Sequence, residues 1–388
     1  MKKKIAIFGS TGSIGKTLIN IIKQDVKNFK IILLVANTNY KDLLNQSKFF
    51  NVKNIIISDK KSYLKCKKDK SFKGIKIYNN FLSFKKIFKN KIDYTMCAIT
   101  GIEGLEPTLQ AIKYTKNIAI ANKEGIICGW NLISKQLKKY NTKFIPVDSE
   151  HFSIWYALRN NNDKIDKVFL TASGGPFKDL SLSKFRYIKI NEALKHPNWK
   201  MGKKISIDSA TMMNKVFEII EAKNIFNIDY KYLSILIHPK SYVHAIIKFK
   251  SGLINIIAHD TNMKIPIFNS LYLDNLPSKK IKTKMIDISK LNKLDLTSVN
   301  INRYPSVKIT NLLPKKTSLY ETVIVSANDA LVDSFLSRKI KFIEINKKLM
   351  KLINLKEFKK YKSISPVNIN QIVELSNYVR LKITSKSI

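Results

Sequence analysis

KIAIFGSTGSIGKTLINIIKQ, residues 4–24, decides the first half of the fold. The apolar run IAIF is too short for a helix or a secretory h-region and breaks at Gly9, so it reads as a buried β-strand. GSTGSIG (9–15) then spaces three glycines through a turn, and TLINIIKQ (17–24) resumes with helical periodicity. A strand, a glycine-rich turn and a helix in that order form an anion site. The glycines let a pyrophosphate approach the helix N-terminus, where free N–H groups and the macrodipole favour negative charge. A plain tight turn is the other reading of the same residues. Its place directly after the first strand favours a nucleotide cofactor.

Downstream, KIILLVAN (30–37), NIIIS (54–58) and YTMCAI (94–99) read as further strands with helices between them. AIKYTKNIAIANKE (111–124) reads as helix, turn and strand, and FIPVDSEH (144–151) as a strand running into a loop. This alternation predicts a parallel, doubly wound α/β sheet over 1–148. VFLTASGGPF (168–177) and LSILIHPKSYVHAIIKFKSGLINIIAHD (233–260) carry longer strands with hairpin character, around a helix near 211–224. They predict a second α/β domain over 149–275. A polar, lysine-rich stretch over 276–303 is expected as a linker, and apolar residues at helical spacing predict a small helical domain over 304–388.

Net charge is +42, yet the lysines are spread along the whole chain among many Asn and Ile residues. A nucleic-acid surface would concentrate them, interleaved with Arg or aromatic side chains. The pattern therefore reads as a solvated surface with no specific nucleic-acid partner. No apolar run approaches the ~18 residues of a membrane span. Three scattered cysteines, Cys66, Cys97 and Cys128, have no metal-ligand spacing and suggest a reducing compartment, so the cytoplasm is expected.

The chemistry gathers in HPNWKMGKKISIDSATMMNK (196–215) and Glu218. So dense a set of polar groups does not belong in a buried element, because each would need a partner. Asp148 and Glu150 follow a predicted strand at i and i+2, facing one side at the edge where α/β ligands collect. Two hard carboxylates suit Mg²⁺ or Mn²⁺, with Glu218, or else Glu221, as the third ligand. Ser173, before two glycines, is placed to donate to phosphate, with Ser209, Asn214 and Lys215 completing an anion cradle. Helix capping by Ser209 or Thr211 and a structural role for His196 are the plainer alternatives. Trp199 and Met201 suit a lid that excludes water. At the end of the second strand, Asn37, Thr38 and Asn39 offer no carboxylate for a ribose diol, which favours NADPH over NADH.

With these residues in place, the chain resembles the 1-deoxy-D-xylulose 5-phosphate reductoisomerase family over essentially its full length. The matching segments are GSTGSIG, ANKE (121–124), PVDSEH (146–151), SGGPF (173–177), HPNWKMGKKISIDSATMMNK and IHPKSYVH (237–244). The resemblance implies an N-terminal Rossmann-like NADPH domain, a central catalytic and dimerising α/β domain, and a C-terminal helical bundle. It implies a metal held by Asp148, Glu150 and Glu218, and a phosphosugar held by Ser149, Glu150, Ser173, His196, Ser209, Asn214, Lys215 and Glu218. Lys123 would sit beside the reacting end, with Lys123, Glu150 and His196 as the catalytic set. Thr11, Gly12, Ser13, Ile14, Asn122, Glu124 and Gly202 would contact NADPH, together with the 37–39 segment. The implied reaction is rearrangement and reduction of 1-deoxy-D-xylulose 5-phosphate to 2-C-methyl-D-erythritol 4-phosphate by a homodimer, with Mn²⁺ or Mg²⁺. An NADPH dehydrogenase of another phosphosugar, without skeletal rearrangement, is the alternative. The chain departs from the family pattern at Asn37 and Thr38, where Gly and Lys or Arg are usual, at Val216, where Gly is usual, and in TNMKIPIF (261–268).

Overall fold

The computed structural model of the chain describes residues 1–159, 161, 163–199, 201–273, 281, 283 and 285–385. The first part of the expected 276–303 linker falls largely outside the described residues. The chain divides into two compact units: Met1–Ile126, Asn131–Asp148 and Met263–Lys282 form one, and Ile127–Trp130, Ser149–Asn262 and Thr283–Ile388 the other.

In the first unit β1 (Lys3–Phe8), α1 (Ser13–Lys23), β2 (Phe29–Ala36), α2 (Tyr40–Phe50), β3 (Asn54–Ile57), α3 (Lys60–Lys68) and β4 (Lys76–Tyr78) build one half of a sheet. A short α4 (Phe84–Ile87) leads to the other half: β5 (Ile92–Cys97), α5 (Leu105–Ile112), β6 (Thr115–Ile120), α6 (Lys123–Lys139) and β7 (Lys143–Pro146). All neighbours are parallel, in the order β4-β3-β2-β1-β5-β6-β7. The strand order therefore reverses beside β1, and the glycine turn lies at that switch point. Ile5 and Ile7 pack with Leu18 and Ile22 of α1 in one core cluster, while Phe8 stacks on Phe84, centroids 5.3 Å apart. Fully burying each of these side chains contributes about 1.5–3 kcal/mol.

TNMKIPIF, which the sequence placed near the end of the second domain, leads into α11 (Lys264–Leu271). That helix belongs to the first unit, where Ile267 and Leu271 join the cluster of Leu18 and Ile22. Tyr94 Oη and Ser270 Oγ, 2.8 Å apart, tie it to β5.

Besides Ile127–Trp130 from within α6, the second unit comprises α7 (Ser149–Leu158) and β8 (Ile165–Ala172), and continues through α8 (Ile190–Ala193), α9 (Lys203–Ala210) and α10 (Met213–Phe226). β9 (Leu233–Ile237), β10 (Val243–Phe249) and β11 (Ile254–Ala258) complete most of a sheet ordered β11-β10-β8-β9-β12. β10 and β11 form the expected hairpin, but β8 and β9 run parallel, so the sheet is mixed. Within the stretch read as linker lie a short α12 (Ile288–Asn292) and β12 (Thr297–Ser298), which adds an antiparallel edge to β9. α13 (Leu319–Leu336), α14 (Phe342–Ile353), α15 (Lys356–Lys359) and α16 (Ile369–Thr384) follow. Among the described residues no helix is long and apolar enough to cross a membrane.

Candidate active site

The glycine turn is shaped by backbone contact. Gly9 has φ +76°, and a Cβ there would lie 2.5 Å from the Ala98 carbonyl oxygen; at Gly15 it would lie 2.3 Å from the Gly9 oxygen. Only glycine fits either position. Gly9 and Ser10 donate their N–H groups to the Val35 carbonyl at 3.0 and 2.9 Å, which ties the turn to the end of β2. Gly12 is the N-cap of α1 and uses no side chain to cap it, and both Gly12 and Ser13 are exposed. Thr11 is half-buried, and Ile14 packs against the core. The free donors of α1 thus face outward at the switch point, as an anion site requires.

At the end of β2, Asn37 accepts from Ser58 Oγ at 3.2 Å and Thr38 is exposed. Asn39 caps α2 by accepting from the Asp42 N–H at 3.3 Å, and Asp42 pairs with Lys16 at 2.6 Å. Asp42, an acid beside this corner, is therefore held by a lysine of α1. At the end of β6, Asn122 caps α6 through Gly125 N–H at 2.8 Å and braces the Gly101 carbonyl at 2.8 Å. Glu124 lies in the first turn of α6, and Lys123 places its ammonium 2.9 Å from Asp148 Oδ2.

The two acids of VDSEH do not alternate on a strand as the sequence suggested. β7 stops at Pro146, and DSEH runs into the first turn of α7 instead of a loop. Asp148 precedes that helix and Glu150 lies in it, so chain continuity at a strand-to-helix corner brings them together. Glu150 and Glu218 both turn a carboxylate to one ammonium, that of Lys215, and so lie side by side within the second unit. Hard oxygen donors of this kind fit Mg²⁺ or Mn²⁺. Glu221 belongs to a neighbouring pair, its carboxylate 3.9 Å from His151 Nδ1. His151 donates Nε2–H to the Glu218 carbonyl at 2.9 Å, joining α7 to α10.

Around the carboxylates, Ser149 Oγ donates to Glu150 Oε2 at 2.6 Å and Asn214 Nδ2 to Glu218 Oε1 at 2.6 Å. The ammonium of Lys215 bridges Glu150 at 2.7 Å and Glu218 at 2.5 Å. Burial alone would lower the Lys215 pKa, but the two carboxylates outweigh it and hold the amine charged.

Ser173 and His196 also meet. The Nδ1 of His196 accepts the backbone N–H groups of Asn198 at 3.1 Å and Trp199 at 2.9 Å. The ring is therefore the neutral Nε2–H tautomer, and Nε2–H donates to Ser173 Oγ at 3.0 Å. Ser173 accepts again from Gly175 N–H at 3.0 Å, which leaves its hydroxyl hydrogen to donate to an anion. Burial, with the field of Lys215 second, pushes the His196 pKa down to about 4. A Cβ on Gly175 would lie 3.1 Å from the Ser209 carbonyl, so the Ser173 loop abuts the end of α9 that carries Ser209.

The capping alternatives for Ser209 and Thr211 do not hold. Thr211 bonds back to the Ile207 and Asp208 carbonyls at 3.0 and 3.2 Å, and α10 starts at Met212 in the left-handed region, φ +63°, with no side-chain cap. Gly202 is the exposed N-cap of α9. Trp199 lies edge-on to His244, centroids 6.0 Å apart. Sequence reasoning missed Asn198, whose amide holds Pro239 O at 2.6 Å and Ser241 Oγ at 2.9 Å beneath that loop. It also missed His151; its place in VDSEH was the available signal.

Three family models match the chain. That of 1-deoxy-D-xylulose 5-phosphate reductoisomerase covers residues 5–129, and two of its C-terminal domains cover 144–226 and 260–382. The 1-deoxy-D-xylulose 5-phosphate reductoisomerase of Pelagibacter ubique is 61% identical, with 100% of both chains covered. That of Wolbachia pipientis wMel is 38% identical, with 88% of each covered. Among solved structures, the Zymomonas mobilis enzyme in complex with NADPH matches with TM-score 0.88 at 29% identity, covering 100% of both chains. A DOX-P reductoisomerase in complex with NADPH, fosmidomycin and magnesium matches with TM-score 0.88 at 29% identity, covering 99% of this chain and 98% of that one.

Proposed function

This chain belongs to the 1-deoxy-D-xylulose 5-phosphate reductoisomerase family, and from that we infer that it converts 1-deoxy-D-xylulose 5-phosphate to 2-C-methyl-D-erythritol 4-phosphate. When bound, a divalent ion polarises the substrate's ketone as a Lewis acid and NADPH supplies the hydride. Asp148, Glu150 and Glu218 would hold the ion, a role supported by the ammonium of Lys215 that draws Glu150 and Glu218 together and by Asp148 standing two residues before Glu150. The pairing of Glu150 with Glu218 carries the reading. Ser173, Ser209, Asn214 and Lys215 grip the substrate, and the energy of that grip can go into positioning. His196, held neutral, orients Ser173 and presents a donor, while Ser149 orients Glu150. Lys123, paired with Asp148, brings a cation to the reacting end and is the third member of the catalytic set. Thr11, Gly12, Ser13, Ile14, Asn37, Thr38, Asn39, Asn122, Glu124 and Gly202 serve NADPH. The first unit acts as the NADPH domain over 1–148, and 149–275 as the catalytic domain. The helical segment over 304–388 follows the 276–303 connection as a C-terminal bundle, within the same compact unit as the catalytic residues Glu150 and His196.

The protein works as a homodimer in the cytoplasm. Its strand β11 supports the first: Ile254 and Ile256 are 56% and 48% exposed on a sheet edge that pairs with no further strand among the described residues. The three cysteines, all buried and none in a disulfide among the described residues, support the second.

Purified protein with Mn²⁺ or Mg²⁺ should oxidise NADPH only when deoxyxylulose phosphate is present, faster than NADH, and yield a branched carbon skeleton. An unbranched product would replace this reading with a plain dehydrogenase. Glu150→Gln should abolish turnover while leaving the circular dichroism spectrum intact.

A further inference from the structure

We propose that Asp329, on α13, is a positioning residue for the phosphate end of the substrate, acting through Lys204 on the helix that carries Ser209. This rests on the reading that Ser209 belongs to the substrate cradle.

Lys204 lies in the first turn of α9, two residues beyond Gly202. A cation there opposes the helix dipole, and no acid in that turn compensates it. Its ammonium instead bridges two buried carboxylates, Asp208 Oδ2 at 3.0 Å and Asp329 Oδ1 at 3.0 Å. Asp329 Oδ2 takes Arg380 of α16 at 2.9 Å, and Asp208 Oδ1 accepts from Asn328 Nδ2 at 2.7 Å. Asp208, Asn328 and Asp329 are 2%, 0% and 6% exposed. Two neighbouring residues of α13 therefore clasp positions i and i+4 of α9.

Apolar packing cannot do this alone, since of the buried residues of α9 only Ile207 and Ala210 are apolar. Eight residues with so small an apolar face could rotate or slide with little loss. A buried ionic set adds little net stability over an apolar one, but it defines one geometry. That geometry matters at the far end of α9, where Gly175 leaves no room: a Cβ there would lie 3.1 Å from Ser209 O and from Ala210 Cα. A turn of α9 therefore moves Ser209 relative to Ser173, and the lid's Gly202 moves with it.

The test is steady-state kinetics on Lys204→Met, which keeps the stem beside Phe217, on the isosteric Asp329→Asn, on Ser209→Ala, and on the Lys204→Met/Ser209→Ala double variant. Lys204→Met and Asp329→Asn should each raise KM for deoxyxylulose phosphate about tenfold, with kcat within about twofold. Lys204→Arg should restore KM. The double variant should be no worse than Ser209→Ala alone, because both changes act on one contact. An unchanged KM in Lys204→Met and Asp329→Asn beside a raised one in Ser209→Ala overturns the inference and leaves the cradle standing. So does a double variant whose effects multiply. An unchanged KM in Ser209→Ala removes the cradle and this inference together. Should Lys204→Met fail to fold, Asp329→Asn carries the same test.

Discussion

Lys215 holds its ammonium 2.7 Å from Glu150, 65 residues away along the chain, while only 4% exposed. With Glu218 on its other side, it keeps a buried carboxylate, Glu218, and a half-buried one, Glu150, from repelling each other. Lys215→Met leaves them facing, at a cost of about 3–5 kcal/mol. Thermal melts should show a lowered Tm, and added Mn²⁺ should recover more of it in the variant than in the parent. An equal Tm gain from Mn²⁺ in both proteins would argue against a shared ion at these acids.

Gly15 and Gly12 should respond differently to alanine. At Gly15 the new Cβ would meet the Gly9 oxygen at 2.3 Å and the Ser10 Cα at 2.5 Å, both backbone atoms. At Gly12 the nearest atom is 3.4 Å away. Gly15→Ala should lose about 1–3 kcal/mol in urea melts and weaken NADPH in fluorescence titrations. Gly12→Ala should stay within about 0.5 kcal/mol of the parent. Equal destabilisation by both would contradict the turn geometry.

His196 is kept neutral, its pKa lowered from 6.5 to about 4. A depressed pKa means the unfolded chain binds the proton first. The stability gained from a neutral His196 is thus full above pH 6.5 and lost as pH falls toward 4. The stability difference between the parent and His196→Gln should shrink over that window in denaturant titrations. A difference constant from pH 7 to 4.5 would contradict the lowered pKa.

Glu321 titrates the other way. It is 0% exposed, and burial raises its pKa to about 7 despite hydrogen bonds from Ser318 and the field of Lys223. The stability linked to its protonated form is present below pH 4.5 and lost as pH rises through about 7. Glu321→Gln keeps an acceptor for Ser318 and has no charge to bury. It should match the parent near pH 5 and exceed it by about 2–3 kcal/mol at pH 8. Parallel pH–stability curves would refute the assignment.

Much of this molecule is written locally. Gly9 and Gly15 are required by contacts within a few residues or with the adjoining strand, and the apolar runs of β1, β2, β3 and β5 mark a parallel sheet. Where the signal was weak, long-range pairing supplied it. β4 is only Lys-Ile-Tyr, a strand because β3 offers it a ladder. β12 is Thr-Ser inside a polar stretch and pairs with β9. The apolar side of α11 matched either unit, and it packs with Leu18 and Ile22 of the first.

The site divides in the same way. The residues of VDSEH and DSATMMNK were legible as chemistry because polar groups crowded in so short a span each need a partner, although Asp208 and Thr211, both buried, find theirs within the protein. By itself, the sequence determined the cofactor turn, the acids and the phosphate-binding side chains, since each is a matter of residue type and near-neighbour spacing. Only the tertiary structure decided that Glu150 faces its partners from a helix, that His196 is an Nε2–H donor, and that Asn328 grips Asp208 across 120 residues. Orientation and desolvation depend on what surrounds a side chain in space, and the order of residues along the chain does not record it.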